Sequence, residues 1–256
     1  MYKMTDADQR SIIRMKVREA RVSKCLSLNK IKLHVIPEEV FEKLRNLEHL
    51  YMSKCKLEGC VSYNLCKLRK LTTIDFSSNK LIAVPEELFS HVKLLRILDL
   101  SANKLTVIPS NISELEYLME LNLSHNQIVR LPDQLCNLQS LTHLDVSSNL
   151  LRDIDGRIFT GDICNSLLIL KLSNNLLYEL PREMGLLKHL EELDISKNNL
   201  KHVPSTCKSL LKLQVLIYHE NPWTVDLKKS MRRKYQMLEA SYGADAIETL
   251  FSLVTR

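Results

Sequence analysis

The sequence predicts an α/β solenoid, a curved stack of repeats with a parallel β-sheet on its concave face and short helical or 3₁₀ segments on its convex face. Three observations predict it. One apolar pattern recurs at intervals of 23 to 26 residues, each copy begins with a strand-like alternation, and segments with helical apolar spacing flank the copies. These observations divide the chain into an N-terminal helical cap over 1–22, about nine repeats over 23–223 and a C-terminal helical cap over 224–256.

Six consecutive copies carry the pattern most clearly, and each fits L-x-x-L-x-L-x-x-N-x-L. These copies begin at Leu71, Leu95, Leu118, Leu141, Leu167 and Leu190. Two weaker copies precede them, with Ile31 and Cys55 at the asparagine position, and a half-copy that begins at Leu213 follows. Atypical first and last copies fit a solenoid, because its outermost repeats have a neighbour on one side only.

The start of each copy predicts a short strand whose side chains alternate between the core and the concave surface. In one copy Leu98 and Leu100 are predicted to point inward and Asp99 outward. The asparagine after each strand is predicted to turn inward, where its amide can pair with buried backbone groups of adjacent repeats. This structural column consists of Asn79, Asn103, Asn126, Asn149, Asn175 and Asn198.

The second half of each copy predicts the convex side. Most copies pass through a proline, such as Pro109, into apolar residues spaced three apart, which favours a short helical or 3₁₀ segment. The sixth repeat departs from this pattern, since Asp155 and Gly156 stand where the proline is expected and the copy is lengthened through residues 160–164. We expect a local bulge or loop there.

Apolar stripes at helical spacing predict a helical cap at each end. Thr5 or Asp6 can cap the N-terminal helix. The apolar side of that helix carries Ile12, Ile13, Val17 and Ala20. Two further stripes over 227–242 and 247–254, separated by Gly243, predict a helical hairpin. These helices would cover the apolar ends and the unpaired strand edges of the stack.

The copies resemble the typical, cytosolic class of leucine-rich-repeat protein, in which LPxxLxxLxxL follows the asparagine, and are similar to the Ras-suppressor and Scribble-type families. The resemblance covers residues 22–223. It implies a non-catalytic scaffold or regulatory adaptor in intracellular signalling that binds a protein partner on its concave face. Asn221, Pro222 and Trp223 resemble the entrance to the cysteine-rich cap of extracellular members. The cysteines of that cap are absent from the sequence, which counts against secretion.

Composition favours a soluble, folded chain in a reducing compartment. The N-terminal residues lack the apolar segment of a signal peptide, and no stretch approaches the roughly 18 to 20 apolar residues that span a bilayer. The seven cysteines are odd in number and form no CxxC pair, which argues against a disulfide framework or a zinc site of usual spacing. We therefore expect a cytoplasmic location, with the nucleus as the alternative.

The formal net charge of +6 belongs mainly to the two ends of the chain. Residues 1–21 contribute +3 and residues 224–256 contribute +2, which leaves +1 for the body between them. A basic run in the predicted C-terminal helix consists of Lys228, Lys229, Arg232, Arg233 and Lys234. Such a helix can contact an anionic membrane or nucleic acid, which is an alternative function for the chain. A solvated helix face that only covers the solenoid end is the simpler interpretation.

Glu120, His143 and Asp145 are residue types of a hydrolytic or metal site, and they are predicted to project from adjacent strands. However, an open concave sheet lacks the enclosed pocket that tunes pKa values and excludes water. The sequence also contains no glycine-rich phosphate loop and no HExxH motif. We therefore predict no enzyme, no metal, no cofactor and no small-molecule substrate, with a site near His143 as the less favoured alternative.

The concave face is the predicted protein-binding surface, centred on repeats four to seven because binding hot spots cluster near the centre of an interface. The predicted contacts are Tyr51, Asp75, Ile97, Asp99, Glu120, Asn122, His143, Asp145, Ile169, Lys171 and Asp194. Four aspartates in this set share one column. The column fits a surface that binds a basic ligand, and it fits equally well an ordinary repeat sequence without function. Ile97 and Ile169 are apolar at positions where water is expected, which suits an interface.

Because these side chains are predicted to point outward, we expect the double substitution Asp99→Lys with Asp145→Lys to change stability by no more than roughly 1 kcal/mol. The same substitution is expected to weaken partner binding at least about tenfold. A separate basic row on the N-terminal half consists of Lys32, Lys56, Lys80 and Lys104. A solvated row without function is the simpler interpretation of these lysines.

Overall fold

The computed structural model describes residues 6–223, with side chains from residue 8 onward. Thr5 and the predicted C-terminal cap over 224–256, with its five basic residues, lie outside the described residues. The helices are α1 (Asp6–Ser23), α2 (Glu38–Lys43) and α3 (Glu87–His91). The strands are β1 (Cys25–Ser27), β2 (His49–Tyr51), β3 (Glu58–Cys60), β4 (Thr73–Asp75), β5 (Lys80–Ala83), β6 (Ile97–Asp99), β7 (Glu120–Asn122), β8 (His143–Asp145), β9 (Ile169–Lys171), β10 (Glu192–Asp194) and β11 (Val215–Ile217).

Nine of the described strands form one parallel sheet on the concave side, in the order β1-β2-β4-β6-β7-β8-β9-β10-β11, and β3 pairs separately with β5. The register aligns equivalent positions of neighbouring repeats, so that Leu98 lies between Ile74 and Leu121. All three side chains are buried, as the alternation predicts. The repeat period therefore determines both the sheet and the apolar core behind it, and the predicted solenoid is confirmed.

The asparagine column links neighbouring repeats through side-chain hydrogen bonds. Asn126 Oδ1 accepts the backbone N–H of Leu105 at 3.0 Å, and its Nδ2 donates to the carbonyl oxygens of Leu100 at 2.9 Å and Leu123 at 3.0 Å. Equivalent bonds form at the other five predicted asparagines, and all six side chains are buried. The six amides therefore bind backbone groups of the preceding repeat.

The column also extends beyond the six predicted members. Asn221 Oδ1 accepts the N–H of Leu200 at 3.1 Å, so the last half-copy contributes an equivalent amide. Cys55, which replaces asparagine in the second repeat, donates its thiol to the carbonyl of Leu28 at 3.0 Å. A thiol therefore replaces the donor of the asparagine side chain. The N–H of Leu33, which an asparagine oxygen would accept, donates instead to the backbone oxygen of Cys55.

The convex side consists of α2, α3 and short 3₁₀ segments, as predicted. The segments are Tyr63–Lys67, Ser110–Glu114, Asp133–Asn137, Gly156–Phe159, Asp162–Asn165, Arg182–Leu186 and Ser205–Ser209. The lengthened sixth repeat supplies two of them. There Asp155 replaces the usual proline and accepts the N–H of Arg157 at 2.9 Å, and Gly161 packs so closely on Cys136 that an added Cβ would lie 2.4 Å from its carbonyl oxygen.

The N-terminal edge strand of the sheet is covered by α1, which packs on β1 through buried Ile13, Val17 and Ala20 and half-buried Ile12. At the other edge, all three residues of β11 are half-buried. No helix within the described residues is both long and apolar enough to cross a membrane. The division of the chain at residues 22 and 223 remains a prediction.

Candidate protein-binding surface

Eight of the predicted contact residues come together in the middle of the concave sheet. Along β6 to β9 the register places Ile97, Glu120, His143 and Ile169 in one row, and the row beside it contains Asp99, Asn122, Asp145 and Lys171. Together these side chains line an open hollow of about 230 Å³, called the central hollow below. Tyr51, Asp75 and Asp194 occupy equivalent concave positions on β2, β4 and β10, outside this hollow.

The central hollow is acidic and partly apolar. Glu120 is exposed and the other seven residues are half-buried. Lys171 Nζ lies 3.4 Å from a carboxylate oxygen of Glu192, so its charge is already paired. Within residues 8–223, the carboxylates of Asp99, Glu120 and Asp145 have no ion-pair partner. Three uncompensated negative charges therefore flank two isoleucines.

The aspartate column also has a structural role that the sequence analysis missed. Asp99 Oδ1 accepts the backbone N–H of Ser101 at 2.8 Å, which closes the turn after the strand. Equivalent bonds join Asp75 to Ser77, Asn122 to Ser124, Asp145 to Ser147 and Asp194 to Ser196. The D/N-x-S that recurs at the ends of β4, β6, β7, β8 and β10 is the pattern that could have revealed it.

These turn bonds argue against the expectation that Asp99→Lys with Asp145→Lys changes stability by no more than roughly 1 kcal/mol. Lysine has no acceptor for the N–H of Ser101 or Ser147, and it would place an ammonium group at a half-buried position. Asparagine keeps the acceptor and removes the charge, as Asn122 does at the same position of its own repeat. The change that separates charge from folding is therefore aspartate to asparagine.

Burial raises the pKa of Asp99, and the neighbouring carboxylate of Asp75 raises it further. Hydrogen bonds from Ser101 and Asn122 oppose this shift because they favour the ionised form. Asp75 and Asp99 are directly paired across β4 and β6. The two carboxylates therefore repel each other across adjacent strands.

His143 is held by Thr142, the residue just before β8, and no hydrogen bond or ion pair within the described residues joins it to a carboxylate. Its Nδ1 lies 2.8 Å from Thr142 Oγ1, and that hydroxyl donates to the carbonyl of Met119 at 2.9 Å. The Oδ1 of Asp145 is occupied by the N–H of Ser147. Within the described part of the chain, no three carboxylate, imidazole or thiol groups converge in a metal-binding arrangement.

Three exposed apolar residues just before β6 and β7 in the chain were missed by the sequence analysis. Leu94, Tyr117 and Met119 precede β6 and β7 and are between 41% and 50% exposed. Leu94 and Tyr117 stand at the same variable position of successive copies, and their shared apolar character was the available signal. By contrast, Lys32, Lys56, Lys80 and Lys104 of the basic row are exposed and do not line the hollow, and Lys80 pairs with Glu58 at 2.6 Å.

Comparison with known sequences agrees with the repeat geometry. A leucine-rich-repeat family model matches residues 69–128, 93–151, 116–177 and 139–200, and a second leucine-rich-repeat model matches residues 46–68. The chain belongs to the leucine-rich-repeat family. No curated protein sequence matches this leucine-rich-repeat chain significantly.

Solved leucine-rich-repeat structures are similar over most of this chain. A Leptospira interrogans LRR protein is 28% identical with a TM-score of 0.73, over 84% of this chain and 58% of that one. The LRR ectodomain of the Arabidopsis thaliana membrane receptor kinase GASSHO1/SCHENGEN3, in complex with CASPARIAN STRIP INTEGRITY FACTOR 2, is 31% identical with a TM-score of 0.66, over 74% of this chain and 23% of that one. The plant peptide hormone receptor RGFR1, in complex with RGF2, is 32% identical with a TM-score of 0.65, over 73% of this chain and 30% of that one. The chain spans less than two thirds of the length of each of these proteins.

Proposed function

We propose that this leucine-rich-repeat chain is a non-catalytic module that binds a protein partner on its concave face, centred on the central hollow. The observation that carries the proposal is the combination of Ile97 and Ile169 with the carboxylates of Asp99, Glu120 and Asp145, which have no cationic partner within the described residues. Apolar contacts dominate the centres of protein interfaces, and a carboxylate that becomes buried there needs a cationic partner. The expected partner segment therefore contributes apolar side chains and at least one lysine or arginine.

Two further observations support a protein partner. Leu94, Tyr117 and Met119 are exposed apolar side chains just before β6 and β7, and exposed apolar groups of this kind are typical of an interaction surface. The structures of GASSHO1/SCHENGEN3 and RGFR1 are both complexes, with CASPARIAN STRIP INTEGRITY FACTOR 2 and with RGF2 respectively.

We further propose an intracellular signalling role as a scaffold or regulatory adaptor, in the cytoplasm. The support is the resemblance to the cytosolic Ras-suppressor and Scribble-type repeats and the state of the cysteines. All seven are free, and four of them, Cys55, Cys66, Cys164 and Cys207, are buried. Free thiols at so many positions fit a reducing compartment. Localisation of the tagged chain in cells, by microscopy and fractionation, tests this placement.

A second candidate function is peripheral contact with an anionic membrane through the five basic residues of 228–234. Four or more basic residues in one short segment attract anionic lipid by roughly 1 kcal/mol each near the surface. Co-sedimentation with liposomes tests it. Binding that depends on neither anionic lipid nor salt concentration would contradict the electrostatic contact.

The concave proposal is tested by affinity capture with three forms of the protein. The double substitution Asp99→Asn with Asp145→Asn removes two charges from the central hollow and keeps both turn acceptors. The matched control, Asp153→Asn with Asp162→Asn, removes two charges from exposed positions outside the hollow. The first variant should recover at least about tenfold less of any partner that binds at the hollow than the unmodified protein does. The control variant should recover as much as the unmodified protein. Equal recovery by all three forms would move the binding site elsewhere.

A further inference from the structure

A basic surface lies along α1 at the N-terminal end of the molecule, beside residues 32–47 of the first repeat. It contains two cavities. One, of about 530 Å³, is lined by Arg10, Ile13 and Arg14 of α1 and by the segment from Lys32 to Glu39. The other, of about 270 Å³, is lined by Ala20 and Arg21 of α1 and by residues 42–47. We call the two together the N-terminal groove.

The spacing of three arginines aligns them along this groove. Arg10, Arg14 and Arg21 are separated by four and seven residues, which places them on one side of a helix. That side adjoins the buried stripe of Ile13 and Ala20, whose contact with the first repeat holds α1 in place. At 1.5 Å per residue, Arg10 and Arg21 lie about 16 Å apart along the helix axis.

Positive charge in the N-terminal groove is largely uncompensated. The basic residues that line it are Arg10, Arg14, Arg21, Lys32, Lys43 and Arg45. Lys43 pairs with Glu39 at 3.1 Å, whereas the other five have no ion pair within the described residues. Glu42 is the one carboxylate lining the groove that remains unpaired in that part of the chain.

The base of the groove is apolar, and charged side chains line its sides. Ile13, Leu44 and Leu47 are buried at its base, and Val35 stands 70% exposed at the end that Arg10 and Lys32 line. A recess with charged rims and an apolar base fits an extended chain better than a flat bilayer, because a bilayer reaches only the ridges beside a recess. An exposed valine beside unpaired cations adds a contact for one apolar side chain.

We propose that the N-terminal groove binds an extended acidic segment of a partner protein, about five residues long, with an apolar side chain at the Val35 end. The length follows from the 16 Å between the outer arginines and the roughly 3.3–3.6 Å that each extended residue spans. Carboxylates of the segment pair with Arg10, Arg14 and Arg21. This site is separate from the central hollow and does not depend on the function proposed there.

The probe is a fluorescein-labelled peptide of one leucine followed by five alternating aspartates and glutamates, and its affinity is measured by fluorescence anisotropy. The control peptide has asparagine and glutamine in place of the acids. We expect the acidic peptide to bind, to weaken as salt is raised, and to bind at least about tenfold better than the control peptide. Failure of the acidic peptide to bind at low salt, or equal binding of both peptides, overturns the proposal.

Two matched variants locate the binding. Arg10→Gln with Arg14→Gln removes two groove cations, and Arg130→Gln with Arg152→Gln removes two exposed arginines from other repeats. The groove variant should lose about tenfold in affinity for the acidic peptide, while the control variant stays within about twofold. Thermal melting confirms that both variants are folded. Equal losses of affinity in the two variants would show a non-specific charge effect and reject the groove. If the groove variant keeps its affinity for the peptide and loses binding only to phosphatidylserine vesicles, the site is a membrane contact instead.

Discussion

Asp99 and Asn122 occupy equivalent positions on adjacent strands, and the Nδ2 of Asn122 donates to Asp99 Oδ2 at 3.4 Å. Each side chain also accepts the backbone N–H two residues further on. The same turn is therefore closed once by a carboxylate and once by an amide. This natural pair makes it possible to test the charge and the hydrogen bond of Asp99 separately.

Asp99→Ala should destabilise the protein, whereas Asp99→Asn should not. Alanine removes the acceptor for the N–H of Ser101, at a cost of about 0.5–1.5 kcal/mol, and asparagine preserves it. Urea unfolding of both variants measures the difference. If alanine and asparagine give the same free energy of unfolding, the turn bond contributes nothing to stability.

The stability gain of Asp99→Asn should depend on pH. Because the pKa of Asp99 is raised in the folded state, the ionised carboxylate disfavours folding at neutral pH, where the variant should be the more stable form. That advantage should shrink as the pH falls through the folded pKa and vanish below the unfolded value of about 3.9. Urea unfolding of both proteins between neutral and acidic pH tests the sign. An advantage that grows on acidification would contradict the raised pKa.

Asn126→Ala should cost about 1–3 kcal/mol, because the N–H of Leu105 and the carbonyl of Leu100 lose a buried partner. Asn126→Cys should cost less. Cys55 shows that a thiol at this position can still donate to the preceding repeat. Thermal and urea unfolding rank the two variants. An equal loss of stability for both would mean that the thiol donor does not stabilise the protein at this position.

Gly161→Ala should be more damaging than Gly59→Ala, although Gly59 is the residue with positive φ. The added Cβ at position 161 would meet backbone atoms of Cys136, an overlap that costs about 1–3 kcal/mol. At Gly59, with φ of +73°, the space is open and only the conformational cost of roughly 1 kcal/mol applies. Melting temperatures of the two variants test this order, and the reverse order would show that the sixth repeat relaxes around the overlap.

Periodicity made most of the fold predictable. Ile97 and Ile169 lie 72 positions apart, and they share a surface because both stand at the same place in their copies and the register aligns those places. Alternation gives only the direction of a side chain, however, and not its hydrogen bonds. The bond from the N–H of Ser101 to Asp99 depends on the backbone turn after the strand, including the positive φ of Ala102, which the apolar pattern does not encode.

The N-terminal groove could not be predicted for a different reason. Arg10 and Arg21 precede the repeats, and their position relative to Lys32 and Arg45 depends on how α1 packs against the first repeat. No recurring spacing relates a single helix to the stack that it covers. The sequence indicated only that the first 21 residues are basic.

The inter-repeat bonds of the asparagine column all run one way in the described repeats. Asn126 forms hydrogen bonds with Leu100 and Leu105 of the repeat before it, and Asn221 forms the equivalent bonds with Ile195 and Leu200. Each unit is thus completed by its successor. Trimming the stack from its C-terminal side leaves the last surviving turn without its amide, while trimming from the N-terminal side leaves every remaining turn with its amide. Shortened or lengthened versions of this stack should therefore be joined just after an asparagine, and any added unit at the C-terminal side closes the one before it.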